Sequence, residues 1–74
     1  MNNRFLEVDG VRLRQIRRER ALSLRELGRM SDVAFDTINK LENEQREAQP
    51  LTLRKLAEAL DVEPKELMKG EADG

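Results

Sequence analysis

The sequence SLRELGRMSDVAFDTINKLEN, residues 23–43, decides how this chain folds. Ser23 is a good N-cap, and a glutamate three positions later completes a capping box, so a helix is predicted to begin here. Asp32 interrupts the helical pattern, because a short polar residue takes turn conformations that branched residues avoid. Ile38 and Leu41, three residues apart, mark one side of a second helix. The stretch therefore predicts two short helices joined by a tight turn.

The composition limits what a chain of this size can do. Its 74 residues allow one domain, and a domain this small buries only about 60% of its unfolded surface. The sequence has no cysteine and no histidine, so disulfides, the usual metal ligands and the usual general base at neutral pH are missing. We therefore expect neither an enzyme nor a metal, cofactor or small-molecule site.

Charge and hydropathy narrow the class further. Charged residues make up 39% of the chain, yet the formal net charge is only -1, so the two signs are interspersed. A pI near 5.5 counts against nucleic-acid binding unless the arginines cluster on one face. Aromatic residues, at 3%, disfavour an RNA platform that stacks bases. No apolar run approaches ~18 residues and no signal-peptide core is visible, which predicts a cytoplasmic protein without a membrane span.

The sequence before residue 23 predicts a first helix. It spans Val11–Arg20, with Leu13 and Ile16 on its inner side. Five arginines lie in this helix, and they form either a solvated surface or a source of one or two phosphate contacts. These arginines are Arg12, Arg14, Arg17, Arg18 and Arg20.

Two prolines mark the later helices. Pro50 suits the first position of a fourth helix, because its missing N–H is not needed there. Leucines recurring from Leu53 to Leu60 give this helix the clearest amphipathic pattern in the chain. Pro64 begins a short fifth helix over residues 65–69, which Gly70 ends. No strand-like alternation is visible, so we expect an all-α bundle of about five short helices.

The domain is predicted to span residues 11–69. Residues 1–10 form a partly disordered N-terminal extension, in which Phe5, Leu6 and Val8 either pack on the domain or stay mobile. Residues 70–74 form a disordered tail.

Several spaced elements in this order resemble the Cro/C1-type helix-turn-helix family, the lambda-repressor-like DNA-binding domains also called the XRE family. The resemblance covers Val11 to Lys69. The matching elements are Leu13-x-x-Ile16-Arg17, Leu22-Ser23-x-x-Glu26-Leu27, Val33 just past the turn, Ile38-x-x-Leu41-Glu42-Asn43, and Thr52–Leu60 followed by Val62.

The resemblance implies a protein that binds double-stranded DNA in a sequence-specific way and regulates transcription, as a repressor and as a dimer. The second helix of the motif, beginning near Ala34 or Phe35, is expected to enter the major groove. Its candidates for base contact are Phe35 to a thymine methyl, Asp36 to cytosine, Asn39 to adenine and Lys40 to guanine. Candidates for phosphate contact are Ser23, Leu24, Arg25, Arg29, Thr37, Asn43, Gln45 and Arg46.

Each base-contact candidate has a purely structural alternative. Phe35 also fits core packing or a dimer contact. In the alternative for Asp36, it serves only to place a negative charge at the positive end of the helix dipole, which is favourable there. In the alternative for Asn39 and Lys40, they are exposed side chains that contact no partner.

The resemblance also implies a structural ion pair, between Arg17 and Glu42, that joins the first helix to the end of the recognition helix. Four positions depart from the family pattern. Asp32 replaces the usual glycine and is expected in a left-handed conformation. Ser31 replaces an apolar residue, so Met30 is expected to fill that space. Leu24 replaces a glutamine that contacts phosphate. Glu44 replaces a glycine near the DNA backbone, where a carboxylate would repel phosphate.

The alternative function is a protein-interaction module on the same fold, such as an antitoxin or anti-repressor. A dimer would use Val62, Leu67 and Met68, the N-terminal Phe5 and Leu6, or a separate protein partner. The expected setting is a bacterial, phage or mobile-element protein in the cytoplasm, associated with the nucleoid when bound.

Overall fold

Capping residues and prolines set where the helices begin in the computed structural model, which describes residues 4–70. The four α-helices are α1 (Gly10–Glu19), α2 (Leu24–Ser31), α3 (Phe35–Glu42) and α4 (Pro50–Leu60), and a single 3-10 turn follows at Pro64–Leu67. The all-α fold expected from the sequence is confirmed. Within the described residues, no helix is long and apolar enough to cross a membrane.

Helix α1 begins one residue earlier than predicted. The Asp9 carboxylate accepts a hydrogen bond from the Arg12 backbone N–H at 3.1 Å, which places Gly10 in the first helical turn. Gly10 lies so close to the end of α3 that a Cβ there would be 2.4 Å from the Glu42 carbonyl oxygen. The start of α1 therefore packs directly on the last turn of α3.

The predicted fifth helix over residues 65–69 is shorter than expected and is not an α-helix. Only a 3-10 turn forms, and Met68 is extended because it pairs with Val8 in an isolated antiparallel β-bridge. The Asp9 N–H donates to the Leu67 carbonyl at 2.8 Å, and the Lys69 N–H donates to the Glu7 carbonyl at 3.1 Å. Backbone pairing with the N-terminal segment thus takes the place of a helix.

The N-terminal segment lies against the domain from residue 6 onward. The Leu6 N–H donates to the Ala48 carbonyl at 2.7 Å, and the Ala48 N–H donates back at 2.9 Å. Val8 is buried in the core. Residues 1–3 of the predicted extension and residues 71–74 of the predicted tail lie outside the described part of the chain.

One apolar core holds all five elements together. Its largest fully buried side chains are Leu13, Ile16, Leu27, Ile38, Leu41, Leu53, Leu56, Leu60 and Leu67. Each α-helix contributes residues at spacings of three or four, which puts them on one face of a helix. The faces that remain outside the core are the ones available for binding.

The sequence makes predictions for two residues at the turn between α2 and α3, and the structure confirms the one for Asp32 but not the one for Met30. Asp32 has φ 61° and ψ 36°, so the left-handed conformation expected for it is confirmed. Met30 does not fill the space beside Ser31, since Met30 is 56% exposed. Ser31 is itself buried, and its hydroxyl donates to the Leu27 carbonyl at 2.7 Å. This local hydrogen bond lets a polar residue occupy an apolar position.

Ala21 also lies in the left-handed region, with φ 56°. The Cβ of an L-residue costs about 1–2 kcal/mol there, and glycine avoids that strain. We therefore expect Ala21→Gly to raise the free energy of unfolding by about 0.5–1 kcal/mol, after the greater chain entropy of glycine is deducted. Urea denaturation at 25 °C measures this change.

Ala59→Gly is the matched control, because Ala59 lies within α4. That change should lower stability by about 1 kcal/mol. Equal signs for the two variants would contradict the explanation.

Candidate nucleic-acid interface

A buried carboxylate fixes the end of α3. Glu42, the last residue of this helix, is 4% exposed. Its Oε2 accepts from the Arg17 Nε at 2.6 Å, and its Oε1 accepts from the Arg17 Nη2 at 3.0 Å. The Arg14 Nε donates to Oε1 at 3.2 Å. The expected ion pair between Arg17 and Glu42 is therefore present, with Arg14 as a second donor.

Arg17 also contacts the chain that leads into α2. Its Nη1 donates to the Leu22 carbonyl at 2.8 Å, just before the N-cap of α2. The hydrogen bond to Glu42 raises the pKa of Arg17. One guanidinium thus links α1, the start of α2 and the end of α3.

Most of the α1 arginines bind the protein itself. Arg12 lies 3.4 Å from the Glu66 carboxylate. The Arg14 Nη2 donates to the Asn43 Oδ1 at 2.8 Å, and the Arg20 Nε donates to the Leu60 carbonyl at 3.0 Å. In addition to the two alternatives expected from the sequence, a solvated surface and phosphate contact, these arginines therefore join parts of the fold.

Helix α3 presents the predicted base-contact residues to solvent. Ile38 and Leu41 face the core, whereas four positions on the other side are exposed. These are Phe35, Asp36, Asn39 and Lys40. Their spacing of one, three and four residues places them together on one helical face. Phe35 is 44% exposed, so core packing does not account for it.

The N-terminus of α3 has no side-chain cap. Ala34 is its N-cap residue and makes no side-chain hydrogen bond, whereas Ser23 caps α2 and Asp9 caps α1. The first N–H groups of α3 therefore have no side-chain cap, and only the exposed Asp36 in the first turn offsets the positive end of the helix dipole. This end suits an external acceptor.

Three contacts organise the exposed face of α3. The Lys40 Nζ lies 3.4 Å from the Asp36 Oδ2, one helical turn away. The guanidinium carbon of Arg25 lies 4.7 Å from the centroid of the Phe35 ring. The side chain of Asn43 donates to the Asn39 carbonyl at 3.0 Å and to its Oδ1 at 3.3 Å. These contacts restrain the side chains of the candidate base-contact residues.

Five of the candidate phosphate-contact residues line three clefts around this face. Arg25 and Arg29 line an open cleft of about 440 Å³ beside Phe35. Gln45 and Arg46 line a second cleft, of about 570 Å³, beside Lys40 and Phe5. Thr37 is half-buried and lines a third cleft with Arg46.

Leu24 lies at the start of α2, where its backbone amide was expected to favour a phosphate. Its side chain is half-buried and packs against the core, so only its backbone N–H remains at the start of α2. The Ser23 hydroxyl accepts from the Glu26 N–H at 3.0 Å, and the Glu26 carboxylate accepts from the Ser23 N–H at 2.9 Å. The hydroxyl and N–H of Ser23 thus complete the predicted capping box.

The Glu44 carboxylate has a role that the sequence did not reveal. It accepts from the Gly10 N–H at 2.9 Å and from the Lys69 Nζ at 2.9 Å. The hydrogen bond from Lys69, then that from Gly10, holds the pKa of Glu44 below its ordinary value of 4.5. This carboxylate, which was expected to repel a phosphate of the DNA backbone, thus also caps α1 and has a cationic partner. The contact joins residues 34 positions apart, so no local spacing signals it.

One of the predicted dimer contacts is also excluded. Leu67 is fully buried in the core. Val62 and Met68 are half-buried, Leu6 is half-buried, and Phe5 is 51% exposed.

Comparison with known proteins agrees with this geometry. A family model described as helix-turn-helix matches residues 13–67. The restriction-modification controller protein C.AhdI from Aeromonas hydrophila is 37% identical, with a TM-score of 0.76 over 80% of this chain and 89% of that one. The P22 c2 repressor, solved with a synthetic operator, is 30% identical, with a TM-score of 0.79 over 86% and 97%. The biofilm regulator SinR, solved with DNA, is 30% identical, with a TM-score of 0.73 over 76% and 90%. No curated protein matches the sequence.

Removing the Glu42 carboxylate should destabilise the whole domain. Glu42→Ala leaves Arg17 desolvated and without its partner, and breaking a buried pair from one side costs about 3–5 kcal/mol. Thermal denaturation followed by circular dichroism measures the loss. Glu47→Ala, at an exposed position close by, is the control and should leave the melting temperature unchanged. An unaltered melting temperature in Glu42→Ala would refute the structural role.

The Glu44 contact should make stability depend on pH in the acidic range. Because the folded pKa lies below the ordinary value of 4.5, the contact stabilises above that value and is lost as the pH falls through the folded pKa. Glu44→Gln should therefore be less stable than the wild type at pH 7, and the difference should vanish at low pH. Urea denaturation across this range measures it. A difference that is constant with pH would contradict the assignment.

Proposed function

Because this chain belongs to the Cro/C1-type helix-turn-helix family, we propose that it is a transcriptional regulator that binds double-stranded DNA in a sequence-specific way. The observation that carries the proposal is the exposed, uncapped start of α3, held in place by the buried Glu42. The DNA complexes of the similar c2 repressor and SinR support the same partner for this chain.

Helix α3 enters the major groove with its N-terminal residues at the base edges. Asn39 carries an amide, which matches the donor and acceptor pattern of adenine. Lys40 donates to guanine. Its ion pair with Asp36, at 3.4 Å, is exposed and therefore weak enough to exchange for a base. Asp36 is then released to accept from the amino group of cytosine.

The residues around α3 hold the DNA backbone. Arg29 contacts phosphate from α2, and Thr37 contacts it from the flank of α3. Gln45 and Arg46 do so from the loop after α3, which the paired backbone of Leu6 and Ala48 anchors. Leu24 offers its backbone amide at the start of α2, where Ser23 holds the helix end through the capping box. Asn43 lies at the end of α3. These contacts position the protein without specifying sequence.

The protein acts as a dimer, and as a repressor. One such domain reads only a few base pairs, so useful affinity requires two copies on half-sites about 34 Å apart. The exposed Phe5 and the half-buried Val62 and Met68 are the remaining candidates for the contact between copies.

A protein-interaction module on the same fold is the second candidate. Exposed apolar side chains favour it, notably Val11 at 70% and Leu51 at 52% exposure. A mainly apolar protein interface weakens far less with salt than a contact with phosphates, so salt dependence separates the two functions.

Two variants should distinguish base reading from phosphate contact. Arg46→Ala should weaken binding to all duplexes alike and reduce the slope of log K against log salt by about 1. Asn39→Ala should weaken binding by about 1–3 kcal/mol and relax preference at one base pair. Duplexes selected from a random library, then titrated by fluorescence anisotropy at several salt concentrations, provide the measurement.

Arg54→Ala is the control for these variants, because Arg54 lies exposed on α4, outside the candidate interface. It should leave both the slope and the base preference unchanged. If the wild-type protein binds no duplex in a salt-dependent way at low ionic strength, the proposed function is wrong.

A further inference from the structure

Arg25 and Phe35 form a stacked pair at the leading edge of the candidate interface. Arg25 is the second residue of α2, and Phe35 is the first residue of α3. The guanidinium carbon lies 4.7 Å from the ring centroid, a distance at which cation and ring attract each other. The pair thus connects the two helices of the motif at the end where α3 begins.

The stability of α2 does not explain this arrangement. Arg25 lies in the first turn of α2, where a cation meets the positive end of the helix dipole and is disfavoured. Phe35 keeps 44% of its surface exposed. Both side chains occupy positions that are unfavourable for folding alone, which favours a role in binding.

The stack leaves the chemistry of both groups accessible. A guanidinium that lies over a ring still presents its N–H donors along its edge. Within residues 4–70, no ion pair or hydrogen bond is found for the Arg25 donors, and the Phe35 ring borders the open cleft beside α2. The pair therefore offers an apolar surface and a row of donors side by side.

These two groups match two features of the major groove. Phenylalanine makes apolar contact with the C5-methyl group of thymine, and arginine donates two hydrogen bonds to guanine O6 and N7. The two groups lie 4.7 Å apart, and neighbouring bases along a strand lie about 3.4 Å apart, so both groups can reach bases that adjoin each other. A stacked pair of this kind suits two adjacent bases.

We propose that the Arg25–Phe35 stack is a specificity determinant that reads a thymine next to a guanine, and that 5-methylcytosine can replace that thymine. The methyl group at C5 is the same in both bases, so binding at this position responds to methylation of cytosine. The proposal rests on the proposed function. It assigns Arg25 to base recognition instead of the phosphate contact expected from the sequence.

Base analogues test each half of the pair on a duplex recovered by selection. Replacing thymine by deoxyuridine removes only the methyl group, and at one position it should lower affinity about fourfold. Replacing the neighbouring guanine by 7-deazaguanine removes only the N7 acceptor and should lower affinity about tenfold. At the thymine position, 5-methylcytosine should bind more tightly than unmodified cytosine, by about the same fourfold factor.

Single substitutions assign each effect to its residue. Phe35→Ala should bind the thymine and deoxyuridine duplexes equally, and Arg25→Ala should bind the guanine and 7-deazaguanine duplexes equally. Met30→Ala and Arg54→Ala are matched controls on exposed side chains outside the stack, and they should keep both discriminations. Melting curves establish that each variant is folded.

The outcomes separate this proposal from the proposed function. If the wild type binds a selected duplex but no deoxyuridine position lowers affinity, or if Phe35→Ala keeps the discrimination, the stack is only a brace between α2 and α3. A lowered melting temperature with unchanged discrimination would identify that brace directly. If no duplex is bound, the proposed function itself fails.

Discussion

The buried carboxylate of Glu42 is the constraint on which the rest of the structure depends. A charge at 4% exposure is tolerated only when its acceptor sites are filled, and Arg17 and Arg14 fill them. Because both arginines come from α1, helix α3 must end where they reach. The rotation of α3 about its axis is then fixed, and with it the set of residues that face away from the core.

Pairing of charges inside the fold explains why the net charge of the chain is a poor guide to the charge of the candidate interface. The net charge of -1 and the pI near 5.5 count every acidic residue equally. In the fold, Glu42 is neutralised inside the core, and Glu44 is occupied by the start of α1 and by Lys69. Most of the α1 arginines are used in internal contacts too. Charge at the surface of α3 therefore depends on a few local residues.

Local chemistry made much of the fold predictable. The capping box of Ser23, the left-handed Asp32 and the start of α4 at Pro50 each follow from a residue and its near neighbours. Contacts between distant parts of the chain were not predictable in this way. The pairing of Leu6 with Ala48, and of Val8 with Met68, uses backbone groups that carry no sequence signal. That pairing is what replaced the predicted fifth helix.

The candidate site shows the same division. The exposed positions on α3 follow from helical periodicity, and they remain predictions as DNA contacts. The orientation of the side chains at the start of α2 could not be predicted in the same way. Leu24 packs against the core, whereas the next residue, Arg25, stacks on Phe35. Which of two adjacent residues faces outward depends on packing between α2 and α3, not on either residue alone.

The consequence of that packing is a change in the chemistry at the start of α3. The amide that the resemblance implies at position 24, as a phosphate contact, is absent, and a guanidinium from the next residue stacks on the ring that begins α3. A ring responds to methyl groups and shape rather than to paired donors and acceptors. Under the proposed function, the base preference at that edge would follow from this ring and guanidinium rather than from the general pattern of the family.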